Sequence, residues 1–321
     1  MGIFDERDDS HETRMTIMDS PDDHMFHLED GRSLGYREFG DPAGYPVFLF
    51  HGIPGSRCGA GVIAEQASRQ GVRVIGIDRP GIGLSTFQPH RTFLDWPSDV
   101  TELADSLGFD RFGVVGNSGG SAYVAACAIK IPERLNFAGI ISGMGPVDIP
   151  TWQEELKLPR THRMLIAIAR RAPALACRVA APLMVREFDP SREGVLERMK
   201  NIMAPADGLL LDQPQVARAV LHDAAEAIKQ GPLGVTWDIM LYTRPWGFRL
   251  QDIKTLVYLW HGEADITVPP LFGRAIAAAL PLCRATFWPG EGHLMAVSRA
   301  GQIMDAIKMS VESPRAYSYQ P

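Results

Sequence analysis

Short apolar runs alternate with amphipathic stretches along most of the chain. The apolar runs have the length and composition of strands buried on both faces, and they occupy residues 46–50, 72–77, 112–115, 137–142, 256–260 and 285–288. The stretches with helical periodicity are residues 62–70, 96–107, 121–129, 272–280 and 302–311. Ahead of them, residues 25–28 and 33–39 flank an Asp- and Gly-containing turn, which predicts a β-hairpin. Strands that alternate with helices predict an α/β fold, with a mostly parallel central sheet and helices on both faces.

Residues 146–247 interrupt this alternation, because no convincing buried strand occurs there. Helical periodicity predicts helices instead, at residues 162–171, 174–185, 191–203, 214–230 and 233–241. We therefore predict a helical cap, 146–247, inserted into a core made of 25–145 and 248–312. The polar ends of the chain predict a disordered acidic tail, 1–24, and a loose C-terminal tail, 313–321.

The charge of the chain is concentrated at its N-terminal end. Residues 1–30 carry a net charge of -8 and the remainder carries +2, within a total of -6. A nearly neutral body favours neither nucleic acid nor an anionic membrane as a partner, so the expected partner is a small-molecule substrate. The sequence gives no indication of oligomeric state.

The expected cellular location and cofactor use of the protein rest on features that the sequence lacks. The acidic N-terminus does not resemble a signal peptide, and no apolar run is long enough to span a bilayer, so we expect a cytoplasmic protein. The four cysteines are scattered, without the CxxC spacing of zinc or redox sites. We expect neither a metal nor an organic cofactor.

A candidate nucleophile lies between the third of these apolar runs and the helix that follows it. Residues 116–120 have the sequence GNSGG, a GxSxG pattern centred on Ser118. Its position between strand and helix is what a nucleophile elbow requires, because the sharp turn exposes the serine hydroxyl at the carboxyl edge of the sheet. Bulky residues would clash at the two outer positions of this turn, which Gly116 and Gly120 occupy. The alternative is a glycine-rich turn without catalysis.

A candidate oxyanion hole follows the first apolar run, where residues 51–56 have the sequence HGIPGS. Such a site needs backbone N–H groups fixed where negative charge develops. We expect one from Gly119, which follows the nucleophile, and one from Ile53 in the HGIPGS loop. His51 is a possible catalytic base, but a histidine that opens this loop is better suited to bracing it by hydrogen bonding.

A candidate base and a candidate acid follow the last two apolar runs. His293 lies in the sequence GEGHL, on a loop from which an imidazole could reach the Ser118 hydroxyl. Asp265 lies in HGEAD, where it would orient His293 and stabilise its charged form. Glu263 and Asp148 remain alternatives for the acid.

These motifs together resemble the α/β-hydrolase superfamily, specifically its cap-bearing serine hydrolases and esterases. The resemblance covers about 25–147 and 248–312, and it rests on HGIPGS, DRPGIGLS at 78–85, GNSGGS, GEADITVP and GEGHL, all in the expected order. It implies an α/β-hydrolase fold whose cap is the insertion after the fourth apolar run. It also implies a Ser118–Asp265–His293 triad, in the chain order of this superfamily, and two-step acyl transfer through an acyl-enzyme.

Departures from particular members narrow the expected chemistry. Ser118 stands where haloalkane dehalogenases and epoxide hydrolases of this fold carry Asp, so both activities are disfavoured. Gly119 stands where proline iminopeptidases carry Trp and where C–C bond hydrolases often carry Met. We expect a carboxylic ester or lactone of a small to medium apolar substrate, because the predicted cap is rich in Met and Trp. The alternatives are a C–C bond hydrolase and a non-catalytic small-molecule receptor.

Overall fold

The computed structural model of this chain describes residues 22–146 and 192–312, together with Ile168 and Arg171. Within these residues, eight strands form one sheet in the order β1-β2-β4-β3-β5-β6-β7-β8. The strands are β1 (Asp23–His27), β2 (Ser33–Gly40), β3 (Tyr45–Phe50), β4 (Val72–Ile77), β5 (Phe112–Asn117), β6 (Leu135–Ile141), β7 (Val257–Gly262) and β8 (Cys283–Trp288). β2 pairs antiparallel with β1 and β4, and all other neighbours pair parallel. The hairpin and the mostly parallel sheet are both confirmed.

Helices cover both faces of the sheet, as predicted. In the described part of the chain they are α1 (Ala64–Arg69), α2 (Trp96–Ser106), α3 (Ser121–Lys130), α4 (Val195–Ile202), α5 (Pro205–Leu211), α6 (Pro214–Ala227), α7 (Leu233–Tyr242), α8 (Pro270–Ala279), α9 (Met295–Ser298) and α10 (Ala300–Glu312). α2, α3 and α8 pack on one face of the sheet, and α1, α9 and α10 pack on the other.

The central strands are continuously apolar because both of their faces are buried. In β3, Phe48 and Phe50 pack into the cluster that contains α2 and α3, whereas Val47 and Leu49 pack into the cluster that contains α1 and α10. Successive side chains of a strand point to opposite faces, so burial of both faces requires apolar residues at every position. This is why these runs could be recognised as strands without any alternation of polar residues.

The N-terminal boundary differs from the predicted one. β1 begins at Asp23, inside the predicted tail 1–24, and the carboxylate of Asp23 pairs with Arg57 at 2.6 Å and Arg37 at 2.7 Å. Ion pairing and strand pairing therefore order the last two residues of that stretch. The rest of the predicted N-terminal tail and the predicted C-terminal tail, 313–321, lie outside the described residues.

The predicted helix 62–70 is interrupted. A 3₁₀ segment occupies Arg57–Ile63, and α1 starts only at Ala64. Ser56 explains the early start, because its hydroxyl accepts the N–H of Cys58 at 3.2 Å and so caps a helical turn ahead of the predicted boundary.

Helices α4 to α7 fall within the predicted insertion 146–247. The helix predicted at 191–203 begins at Val195, after Gly194 with φ of 70°, and α5 was not predicted as a separate helix. The helices predicted at 162–171 and 174–185 lie outside the described residues apart from Ile168 and Arg171. The division of the chain into core and cap remains a prediction.

Candidate active site

Ser118 occupies a strained turn between β5 and α3. Its φ is 53°, in the left-handed region that non-glycine residues rarely adopt, and its side chain is 5% exposed. A Cβ on Gly116 would lie 2.4 Å from the carbonyl oxygen of Gly120, and a Cβ on Gly120 would lie 2.2 Å from that of Phe50. The two flanking glycines are therefore required by close backbone approach, and the turn holds Ser118 at the carboxyl edge of the sheet.

The HGIPGS loop lies directly beside this turn. A Cβ on Gly52 would come within 3.4 Å of the Ser118 Cβ, and a Cβ on Gly119 would come within 2.5 Å of the Ile53 side chain. The structure thus brings the two predicted oxyanion residues, Ile53 and Gly119, into contact next to Ser118.

His51 braces the same loop. Its Nδ1 donates to the carbonyl oxygen of Gly52 at 2.9 Å, and its Nε2 accepts the N–H of Arg79 at 3.3 Å. Burial, together with the nearby Arg79 charge, places the pKa of His51 well below its usual range. A neutral ring with both nitrogens engaged is suited to support and not to proton transfer.

Arg79 holds the HGIPGS loop in place and joins it to helix α7, which lies within the predicted insertion. Its guanidinium donates to the carbonyl oxygens of His51 and of Gly52, the latter at 2.9 Å, and its Nε donates to Asp238 on α7 at 2.6 Å. Asp238 also accepts from Arg91 and from the Tyr123 hydroxyl. Burial alone would raise the pKa of Asp238, but the two guanidinium groups hold it well below its usual range.

Asp265 and His293 meet at the carboxyl ends of β7 and β8. The His293 Nδ1 donates to the Asp265 carboxylate at 2.8 Å, and both residues are buried. The other carboxylate oxygen accepts the N–H groups of Thr267 and Val268. Burial would raise the pKa of Asp265, but hydrogen bonding to the rings of His261 and His293 keeps it well below its usual range. An ionised Asp265 is the partner that a histidine base needs.

Of the two alternative acids, the structure describes Glu263 but not Asp148. Glu263 is exposed and pairs with Arg274 at 2.8 Å, so its carboxylate forms an ion pair at the surface. Asp148 lies outside the described residues. Of the candidates that are described, Asp265 is the one hydrogen-bonded to His293.

Sequence reasoning missed a second carboxylate at the histidine loop. Asp207 on α5 is fully buried, and it accepts the backbone N–H groups of His293 at 2.9 Å and of Leu294 at 2.7 Å. A Cβ on Gly292 would lie 2.3 Å from this carboxylate, so a glycine must precede His293. An inserted helix therefore fixes the backbone of the candidate base.

A cavity of about 230 Å³ connects these groups. Ser118 and His293 both lie on its wall, and neither the Ser118 hydroxyl nor the His293 Nε2 has a hydrogen-bond partner among the described residues. Most of the wall is apolar, with Val, Ile, Leu and Met side chains from the sheet, the inserted helices and α10. The cavity can hold an apolar molecule next to a hydroxyl and an imidazole.

One carboxylate of the inserted helices also reaches this cavity. Asp223 on α6 accepts the N–H and the hydroxyl of Ser56 through one oxygen, at 2.8 and 2.7 Å. Burial raises the pKa of Asp223 to about 7, partly offset by the hydrogen bonds from Ser56. Asp207, Asp223 and Asp238 thus attach three inserted helices to the loops around Ser118 and His293.

Metal and membrane features are absent from the part of the chain that the structure describes. There, no group of three or more His, Cys, Asp and Glu side chains is arranged to hold a metal ion. None of the helices in these residues combines the length and the apolar character needed to cross a membrane.

Comparisons with known proteins agree with this architecture. A family model described as alpha/beta hydrolase fold matches residues 45–166. Proline iminopeptidase of Xylella fastidiosa is 34% identical over 112 residues, 33% of this chain and 35% of that relative. The 2-hydroxy-6-oxo-2,4-heptadienoate hydrolase of Pseudomonas putida is 35% identical over 109 residues, 32% of this chain and 39% of that relative. The chain thus spans between a third and two fifths of the length of these two curated relatives.

Similarity to solved structures extends over nearly the whole chain. The structure of an esterase from Rhodococcus superposes with a TM-score of 0.63 at 20% sequence identity, covering 91% of this chain and 99% of the esterase. At this level of identity the likeness concerns the fold alone. The fold class predicted from the sequence is confirmed.

Proposed function

We propose that this chain, a member of the α/β-hydrolase superfamily, is a serine hydrolase that cleaves a carboxylic ester or lactone of a small to medium apolar substrate. The observation that carries the proposal is the 2.8 Å hydrogen bond between Asp265 and His293, formed beside a cavity that also contains Ser118 on its strained turn. A serine and a histidine on the wall of one apolar cavity, with a carboxylate that orients the histidine, are the elements of nucleophilic acyl transfer.

In the proposed reaction, the Ser118 oxygen attacks the substrate carbonyl carbon while His293 Nε2 takes the hydroxyl proton. Asp265 stabilises the imidazolium that forms, and the N–H groups of Ile53 and Gly119 donate to the oxyanion. His293 then gives its proton to the leaving alcohol, which departs and leaves an acyl-Ser118 ester. His293 next takes a proton from water, the resulting hydroxide attacks the acyl carbonyl, and the carboxylic acid leaves as Ser118 regains its proton.

Contacts around the two proposed oxyanion donors support this assignment. Arg79 and His51 fix the carbonyl groups of the HGIPGS loop, so its neighbouring N–H groups have defined directions. Donors that are positioned in advance cost no reorganisation during the reaction, and each contributes roughly 3 kcal/mol to stabilisation of the transition state.

A C–C bond hydrolase is the second candidate. It is favoured by the similarity to the hydrolase of Pseudomonas putida named above, and the same triad would serve its chemistry. The similarity to proline iminopeptidases carries less weight, because Ile53 fills the space beside Gly119 where their pattern has Trp. The test therefore includes one substrate of C–C bond hydrolases and one substrate of proline iminopeptidases beside the esters.

The test is hydrolysis of p-nitrophenyl acetate, butanoate and hexanoate by the wild-type chain and by Ser118→Ala. Ser98→Ala is the matched control, because Ser98 is an exposed serine. We expect ester cleavage that disappears in Ser118→Ala and persists in Ser98→Ala. Preferential cleavage of a vinylogous 1,5-diketone or of prolyl-p-nitroanilide would replace the ester proposal with the corresponding competitor. Absence of turnover on every substrate, combined with tight binding of a small ligand, would favour the receptor alternative.

A further inference from the structure

The cavity does not end at the candidate catalytic residues. Its wall continues down the face of the sheet that carries α1 and α10, where it includes Leu49 and Val47 of β3, Val115 of β5 and Val74 of β4. Strand register places Leu49 beside Val115, and Val47 beside Val74 one level further from the catalytic edge. The wall of the cavity therefore follows the strands away from Ser118, along side chains that also pack into the core.

Helix α10 forms the opposite wall. Ala300, Ile303, Met304 and Ile307 line the cavity at the i, i+3, i+4 and i+7 positions of one helical face. The seven steps along the helix from Ala300 to Ile307 span about 10 Å, at about 1.5 Å per residue. The three steps along β3 from Phe50 to Val47 also span about 10 Å, at about 3.3 Å per residue. Both walls therefore give the same depth below the catalytic edge.

Polar groups are confined to the upper part of this space. The polar side chains on the wall are those of His51, Asn117, Ser118, Asp223, Thr267 and His293. They lie at the ends of strands, in the loops that follow them or on α6. From Leu49 onwards, in the direction away from the catalytic edge, the wall formed by the sheet and α10 is aliphatic apart from the Met304 thioether. Such a space excludes charged or hydrogen-bonding groups, because a polar group buried there would have no partner.

We propose that this lower space, which we call the chain channel, binds a linear hydrocarbon chain of the substrate, about eight carbons long, whose ester carbonyl lies at Ser118. The length follows from the depth of about 10 Å, since each C–C bond of about 1.5 Å advances an extended chain by somewhat less than its length. The proposal rests on the proposed function for the position of the carbonyl. It adds the substrate class, medium-chain aliphatic esters. The hydrocarbon chain belongs to either the acyl or the alcohol half of the ester, which two substrate series distinguish.

The first experiment measures kcat/KM for p-nitrophenyl esters with acyl chains from acetate to dodecanoate, and for n-alkyl acetates over the same lengths by titration of released acid. In one series we expect kcat/KM to rise with each added methylene, by up to about fourfold per group, and to fall beyond about eight carbons. A maximum at acetate in both series, or no dependence on length, overturns the proposal.

Variants within the channel test its position. Val47→Met adds bulk at the lower end and should shorten the preferred chain by about two carbons. Ile307→Ala removes bulk there and should lengthen it by a similar amount. Val114→Met is the matched control, because Val114 is an equally buried strand valine whose side chain packs on the opposite face of the sheet. Identical chain-length profiles for all four proteins overturn the proposal.

Folding and function are separated by two further measurements. Thermal unfolding of each variant identifies any that fails to fold, and the two channel variants shift the preferred length in opposite directions, which general destabilisation cannot do. Dissociation constants of octanoate and butanoate for Ser118→Ala test the channel without turnover. If the wild-type chain cleaves no ester but octanoate binds Ser118→Ala at least tenfold more tightly than butanoate, the proposed function fails and the channel stands. If octanoate binds no more tightly, the channel fails.

Discussion

Replacing Asp207 by alanine tests whether an inserted helix sets the position of His293. The Asp207 carboxylate accepts two backbone N–H groups of the histidine loop, at 2.9 and 2.7 Å, and a third from Ala204 at the start of α5. Hydrogen bonds to a charged group contribute about 1.5–3 kcal/mol each. Because water can replace part of what is lost, we expect Asp207→Ala to lower the free energy of unfolding by about 3 kcal/mol.

The effect on catalysis should exceed the effect on substrate binding. Asp207 is not part of the cavity wall, so KM should change little, whereas His293 loses the contacts that fix its backbone. A displacement of about 1 Å at a catalytic group costs roughly 100-fold in rate, so kcat should fall by about that factor. Asp207→Asn should lie between the two, because its amide oxygen can still accept one of the N–H groups.

The assay is ester hydrolysis between pH 5 and 9, at a temperature where denaturation curves show each variant to be folded. Asp212→Ala is the control, because Asp212 directly follows the same helix, its side chain is 60% exposed, and its carboxylate pairs with Lys200 at the surface. We expect wild-type kinetics from this control. A kcat within threefold of wild type for folded Asp207→Ala would show that Asp207 does not set the position of His293.

Three other changes have defined outcomes. Asp265→Asn should reduce kcat by about 10⁴-fold in the ester assay while the chain stays folded, since the amide favours the wrong tautomer of His293; a loss below tenfold would argue for another acid. Gly119→Ala should slow labelling by a fluorophosphonate, because its Cβ would lie 2.5 Å from the Ile53 side chain and would displace it; unchanged labelling would show that Ile53 can move aside without disturbing the site. The pKa of Asp223 is raised by burial to about 7, against an ordinary value of about 4, so the folded chain keeps a proton that the unfolded chain loses. Stability from this group is therefore complete below pH 4 and is lost as pH rises towards 7. In Asp223→Asn, the midpoint of denaturation should therefore depend less on pH between pH 5 and 8 than it does in the wild-type chain. An equal dependence on pH in the two proteins would contradict this.

Local patterns were sufficient for the elements whose signal lies in adjacent residues. The buried strands could be recognised because they are apolar at every position, and the turn at Ser118 could be recognised from its glycines between strand and helix. Helix α5 had a local signal that the prediction did not use, since Pro205 at its first position and Asp207 at its third are typical of a helix start.

Contacts between distant residues could not be predicted in this way. Asp207 lies 86 residues from His293, and Asp238 lies 159 residues from Arg79. No periodicity or spacing links such pairs, because each contact exists only once α5 and α7 are packed against the core. The chain channel is equally inaccessible to sequence, since its walls have the same aliphatic composition as a filled core.

Peptide mapping by mass spectrometry after reaction with a fluorophosphonate tests whether Ser118 is the nucleophile, because it identifies the residue that reacts. We expect a single adduct on the peptide containing Ser118, formed at least about 1,000-fold more slowly in His293→Ala. An adduct on another residue would exclude Ser118 as the nucleophile, and equal rates of labelling with and without the His293 imidazole would exclude His293 as its base.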